Sequence, residues 1–139
     1  MSDKKTVIAV DFDGTIAKTE YPEIIEPIQN TIDYLRLMKS KGATIILWTC
    51  REGKELEEAV AWCKENNVPI DYINENDPER IAIWGNDCRK IGADIYIDDK
   101  AITDSQINMA LLFNNYQTEV VPTDTDMLIN AILDMNEKM

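Results

Sequence analysis

The chain has 139 residues, 26 of them acidic and 14 basic, for a formal net charge of −12 at pH 7. That length suits a single domain, residues 1–139, and the charge repels polyanions, so a long nucleic acid is not an expected partner. The chain has no histidine, so imidazole bases and histidine-ligated metals are excluded, acid–base work falls to carboxylates, Lys, Tyr or Cys, and any metal site must be oxygen-rich.

Thr6–Val10 reads as a buried strand: β-branched and apolar, bounded by charge on one side and Gly14 on the other. From Ile16 to Glu26, Tyr21-Pro22 and then Pro27 predict a loop or short turn leading into a helix, with Pro27 in its first turn. Ile28, Ile32, Leu35 and Met38 share one helical face, and Gly42 after Lys39 and Lys41 is a stop signal. Ala43–Trp48 is the second buried strand. A helix from about Gly53 to Asn66 follows, with Leu56, Val60 and Cys63 inward, and Ile70–Ile73 is a short third strand.

Residues 74–86 have little periodicity. Asp77-Pro78 is a helix start there, Gly85 is punctuation, and Trp84 reads as a core residue. Ala93–Ile97 is the fourth strand. Met109–Phe113 fits a strand or a helical turn, and Thr125–Met135 has helical spacing. Strands alternating with helices across short loops predict an α/β fold: a Rossmann-like three-layer sandwich with a mainly parallel sheet. Right-handed crossovers then bring the C-terminal strand ends to one rim.

No apolar run reaches the ~18–20 residues that span a bilayer, and the polar start Met1-Ser2-Asp3-Lys4-Lys5 is unlike a signal peptide. A cytoplasmic location with no membrane partner is therefore expected. Cys50, Cys63 and Cys88 form no CxxC pair and read as reduced thiols.

Three strand ends carry the chemistry. Asp11-Phe12-Asp13-Gly14-Thr15 closes the first, Thr49 the second, and Asp98-Asp99-Lys100 the fourth. A lone Asp at such a place is ordinarily a turn or cap residue. Two acidic pairs at two strand ends repel each other unless a divalent cation joins them, which points to magnesium held among Asp11, Asp13, Asp98 and Asp99. The Thr49 hydroxyl and the following amide suit a phosphate oxygen. Lys90, eight residues before Asp98 (98 − 90 = 8), is a candidate phosphate-neutralising cation, Lys100 competes for that role, and Arg51 is a candidate substrate contact.

Asp-Phe-Asp-Gly-Thr after a strand, Thr49, a Lys and then Ile97-Asp98-Asp99 resemble, in order, the four motifs of the haloacid dehalogenase-like phosphohydrolases across residues 6–100. The resemblance implies that Asp11 is a nucleophile forming an aspartyl-phosphate. It implies that Asp13 protonates the leaving group and then activates water, with its carbonyl on the metal. Thr49 would bind the phosphoryl group, Lys90 would hold it against Asp11, Asp98 would complete the magnesium site and Asp99 would either assist it or support Lys90.

The stretches between Asp13 and Thr49 and between Cys50 and Arg89 are too short for an inserted cap, so the resemblance is to the capless class. An open site admits macromolecular phosphates such as a phosphoprotein, or needs a second copy of the chain or the Tyr21–Ile25 loop as a cover to select a phosphorylated small molecule, which is the expected partner. Tyr21 and Trp84 are further rim candidates. Two alternatives remain: a phosphoaspartate receiver domain, which the order of the motifs opposes, and an inactive binding module of the same fold.

Overall fold

The computed structural model describes residues 5–120 and residue 132. The chain divides into two compact units, Met1–Asp98 and Asp99–Met139. The predicted helix at Thr125–Met135 lies outside the described residues, apart from Ile132, which is helical.

The first unit is a Rossmann-like α/β structure. Its strands are β1 (Val7–Val10), β2 (Ala17–Glu20), β3 (Glu23–Pro27), β4 (Thr44–Leu47), β5 (Tyr72–Ile73) and β6 (Ile95–Ile97). Its helices are α1 (Gln29–Ser40), α2 (Gly53–Glu65) and α3 (Pro78–Trp84). Four strands form a parallel sheet in the order β5-β4-β1-β6, and β2 and β3 form a separate antiparallel ribbon. β1 is central because all four of its residues are apolar and fully buried, which a strand covered on both faces requires.

The two faces carry separate clusters. Ile8, Val10, Ile45 and Leu47 pack with Ile32 and Leu35 of α1 and Ala59 and Cys63 of α2. Val7, Ala9 and Ile46 pack with Ile91, Trp48 and Tyr72 on the other face. Each fully buried Ile, Leu or Val contributes about 1.5–3 kcal/mol by leaving water. The glycine stop after α1 is as read: Gly42 stands at φ +93°, a left-handed conformation that a side chain would strain. Gly85 ends α3 in the same way at φ +82°.

Two aspartates extend the sheet at its N-terminal rim. Asp71, just before β5, donates its amide to the Ile45 carbonyl and accepts the Ile45 amide on its carboxylate, each at 2.8 Å. Asp94, just before β6, does the same with Val7. Each carboxylate is also held by a cation, Lys39 at 2.7 Å and Arg80 at 2.9 Å respectively.

Three expectations change. Residues 17–27 are not a loop into a helix but the β2–β3 hairpin, and Pro27 closes β3 rather than opening α1. The cause is backbone pairing between Ala17 and Pro27 at one end and Glu20 and Glu23 at the other, with Thr19, Ile24 and Ile25 supplying β-branched residues. Trp84 is 45% exposed rather than core, because α3 buries no side chain and the indole lies against Gly92, where a Cβ would overlap the ring. Met109–Phe113 is helical, inside α4 (Asp104–Val120) of the second unit. α4 opens on a reciprocal cap: the Gln106 amide donates to Thr103 Oγ1, and the Thr103 amide donates to Gln106 Oε1.

Candidate active site

The parallel register fixes which residues meet at the C-terminal rim. Val10 lies opposite Leu47 on one side and Ile97 on the other, so Asp11, Trp48 and Asp98 occupy the next row. The ladder continues one step beyond the strands, with the Asp11 amide donating to the Ile97 carbonyl at 2.9 Å and the Trp48 amide to the Val10 carbonyl at 2.8 Å. Carboxylate oxygens of Asp11 and Asp98 lie within 4.8 Å of each other, Asp11 half-buried and Asp98 exposed. Hard oxygen donors at that separation fit a divalent cation such as magnesium. Thr15 Oγ1 donates to Asp11 Oδ2 at 3.2 Å.

The chain then turns sharply. Gly14 stands at φ +79°, and the amides of Thr15 and Ile16 donate to the Phe12 carbonyl at 3.1 and 3.0 Å. Phe12 is fully buried under this turn. Alternation therefore sends Phe12 into the core and leaves Asp11 and Asp13 to the rim.

Asp13 has partners the sequence did not reveal. Arg51 Nε donates to Oδ2 at 2.9 Å and Arg51 Nη2 to Oδ1 at 2.7 Å, a two-pronged ion pair. Thr19 Oγ1, on β2, adds a third bond to Oδ1 at 2.8 Å. Burial pushes the Asp13 carboxyl up, but the bonds from Arg51 and Thr19 outweigh it and hold the carboxyl below its usual pKa.

Arg51, a candidate substrate contact on its sequence position, is buried rather than on the open rim. It is 2% exposed. Nη2 also donates to the Pro22 carbonyl and Nη1 to the Glu55 carbonyl. Its guanidinium lies 5.1 Å from the Phe12 ring centre and 4.9 Å from that of Tyr21. The loop after β1, the hairpin and α2 therefore all converge on one side chain. Tyr21 itself is 63% exposed, at the tip of the hairpin.

Thr49 follows β4. Its amide donates to Asn74 Oδ1 at 2.8 Å, and its hydroxyl oxygen accepts from the Arg51 amide at 3.1 Å. That is a local turn and not a helix cap, since Glu52 precedes α2. The hydroxyl keeps its own hydrogen as a donor. Lys90 is exposed, with its ammonium 5.6 Å from the Tyr96 ring centre. Asp99 opens the second unit, 4.0 Å from Lys100, whose side chain is 80% exposed.

A cleft of about 370 Å³ lies beside α2 and β5, lined by Val60, Cys63, Tyr72 and Ile73 among others. None of the site residues read from the sequence lines it. Sequence reasoning missed Thr19, Asn74 and the burial of Arg51. The β-branched residues at 19, 24 and 25 were the signal available for the first, and the other two had none.

No family model matches the chain, and none of the curated proteins does. Among solved structures it is similar to a conserved protein coded by a locus of Bacteroides thetaiotaomicron, with 33% identity and a TM-score of 0.61. The match covers 87% of this chain and 100% of the other. The two chains belong to one family. That relative is described as a conserved protein, so the assignment of a reaction rests on the chemistry of the site. Among the described residues no helix is long and apolar enough to cross a membrane.

Proposed function

We propose that the protein is a magnesium-dependent phosphohydrolase of the haloacid dehalogenase-like kind, acting on a phosphate monoester of a small molecule. The observation that carries this reading is the pairing of Asp11 and Asp98 at the ends of adjacent parallel strands, within 4.8 Å. Open α/β sheets bind their ligands at that rim. Nucleophilic catalysis by a carboxylate also suits a chain with no histidine.

An Asp11 carboxylate oxygen attacks phosphorus, and the bond from phosphorus to the leaving oxygen breaks. Asp13 gives that oxygen its proton. Water then attacks the phosphorus of the acyl phosphate on Asp11 and loses a proton to Asp13. The bond from phosphorus to Asp11 breaks, and inorganic phosphate leaves. Asp13 is an anion in its pair with Arg51, which suits the second step. The proton for the first comes from the substrate, since a phosphate monoester has a second pKa of about 6 and its monoanion carries one; Asp13 takes it from the phosphoryl oxygen and passes it to the leaving oxygen, and the proton that Asp13 later takes from water leaves with the phosphate.

A magnesium ion held by Asp11 and Asp98 would supply positive charge against the phosphoryl oxygens. Both Asp13 carboxylate oxygens accept from Arg51, so that side chain is not counted among the cation's ligands. The Thr49 hydroxyl is the donor assigned to a phosphoryl oxygen. Lys90 is retained as the neutralising cation on its place in the sequence alone.

Hydrolysis of a generic aryl phosphate tests this. Activity is expected with magnesium, is lost in excess chelator and falls at least ~10³-fold in Asp11→Asn, as loss of a nucleophile does. Full activity in chelator, or parental activity in that variant, overturns the reading.

A further inference from the structure

We propose that Arg51 and Thr19 are positioning residues that aim the Asp13 carboxylate at the leaving oxygen, an inference that rests on the phosphohydrolase reading above. The two-pronged pair fixes both the place and the rotation of the carboxylate, because Nε and Nη2 each hold one of its oxygens. Thr19 pins the same Oδ1 from the hairpin.

Arg51 is itself buried and held by several groups. The carbonyls of Pro22 and Glu55 take two more of its N–H groups, and its guanidinium carbon lies over the rings of Phe12 and Tyr21. Its side chain is 1% exposed, while that of Asp13 is 30% exposed. The clamp is thus closed to water and the clamped acid is open to it, as a proton-transfer group must be.

Stability does not account for this arrangement. Apolar residues of similar volume fill a core as well as a buried ion pair, and often better. What an ion pair adds is geometry, and a general acid loses rate steeply when its proton is aimed away. Lysine in place of Arg51 keeps the charge but has no planar fork, so it separates charge from aim.

The leaving group gives a readout that a structural role would not move. An alkyl phosphate needs its leaving oxygen protonated, whereas a nitrophenyl phosphate needs it little. The experiment compares kcat/KM for both substrates, with magnesium, in the parent, Asp13→Asn, Arg51→Lys and Thr19→Val. kcat/KM isolates the step in which Asp11 is phosphorylated.

Asp13→Asn is expected to lose the alkyl substrate selectively, within the roughly 10²–10⁴-fold that general acid catalysis supplies. Arg51→Lys should show the same selectivity, with at least about a 10-fold loss on the alkyl phosphate against little change on the aryl one. Thr19→Val removes a single hydroxyl. It should shift the same ratio in the same direction, and it keeps the test decisive if Arg51→Lys does not fold. Equal losses on both substrates in these variants, or no loss on either, overturn the positioning role. A parent that hydrolyses neither substrate, or an Asp13→Asn variant with no selectivity, overturns the underlying reading instead.

Discussion

At Asp13, burial and pairing act in opposite directions, and pairing wins. Burial raises the carboxyl pKa, while Arg51 and Thr19 lower it to a net value below the usual one. A carboxyl depressed in the folded state adds stability above its unfolded pKa of about 3.9 and loses it as pH falls through the lower folded value. Removing one partner of a fully buried pair costs about 3–5 kcal/mol, which solvent at the 30% exposed Asp13 reduces to roughly 2–3. The gap in Tm between the parent and Asp13→Asn should therefore be widest above about pH 5 and begin to narrow only below about pH 4, as pH falls towards the lower folded value. Thermal melts across that range check it, and a gap independent of pH contradicts it. Nothing in the sequence announced this pair. Arg51 and Asp13 are 38 positions apart, arginine is usually exposed, and its place beside Thr49 reads as a rim cation. Asp11 was legible because a carboxylate straight after four apolar residues has few bland explanations.

The elements divide according to how much apolar surface they bury. β1 and β4 were readable as continuous apolar runs, and each proves buried at all four positions. The hairpin was not, because an exposed ribbon such as Glu23–Pro27 alternates weakly and carries three prolines and glutamates among its five residues. Its importance lies in what it touches: Thr19 on Asp13 and Pro22 on Arg51. The aspartates before β5 and β6 work at the other rim, where each supplies an acceptor that the short strand lacks. Asp71→Ala or Asp94→Ala strands a backbone amide in β4 or β1, at a cost of about 1–3 kcal/mol. Each is expected to lower Tm and leave turnover unchanged. Lost turnover at an unchanged Tm would mean that the two rims are not independent.

Over the whole molecule, the parallel order β5-β4-β1-β6 turns separated motifs into one site. Asp11 and Asp98 are far apart in sequence, yet the register puts them in the same row. Strand periodicity and right-handed crossovers were enough to foresee that meeting. They were not enough to locate Lys90, whose ammonium lies over Tyr96, because a lysine in a loop is free to turn to either face. With a net charge of −12, the proposed reaction would bring an anionic substrate to an acidic protein, so the neutralising charge would have to be local. The central claim is that Asp11 is phosphorylated during turnover. Quenching the protein in acid during hydrolysis of an aryl phosphate with magnesium, reducing it with borohydride and mapping its peptides tests this directly, because an aspartyl-phosphate is reduced to homoserine. Homoserine at position 11 is the predicted result; steady turnover with unmodified Asp11, or homoserine at position 13 instead, would contradict it.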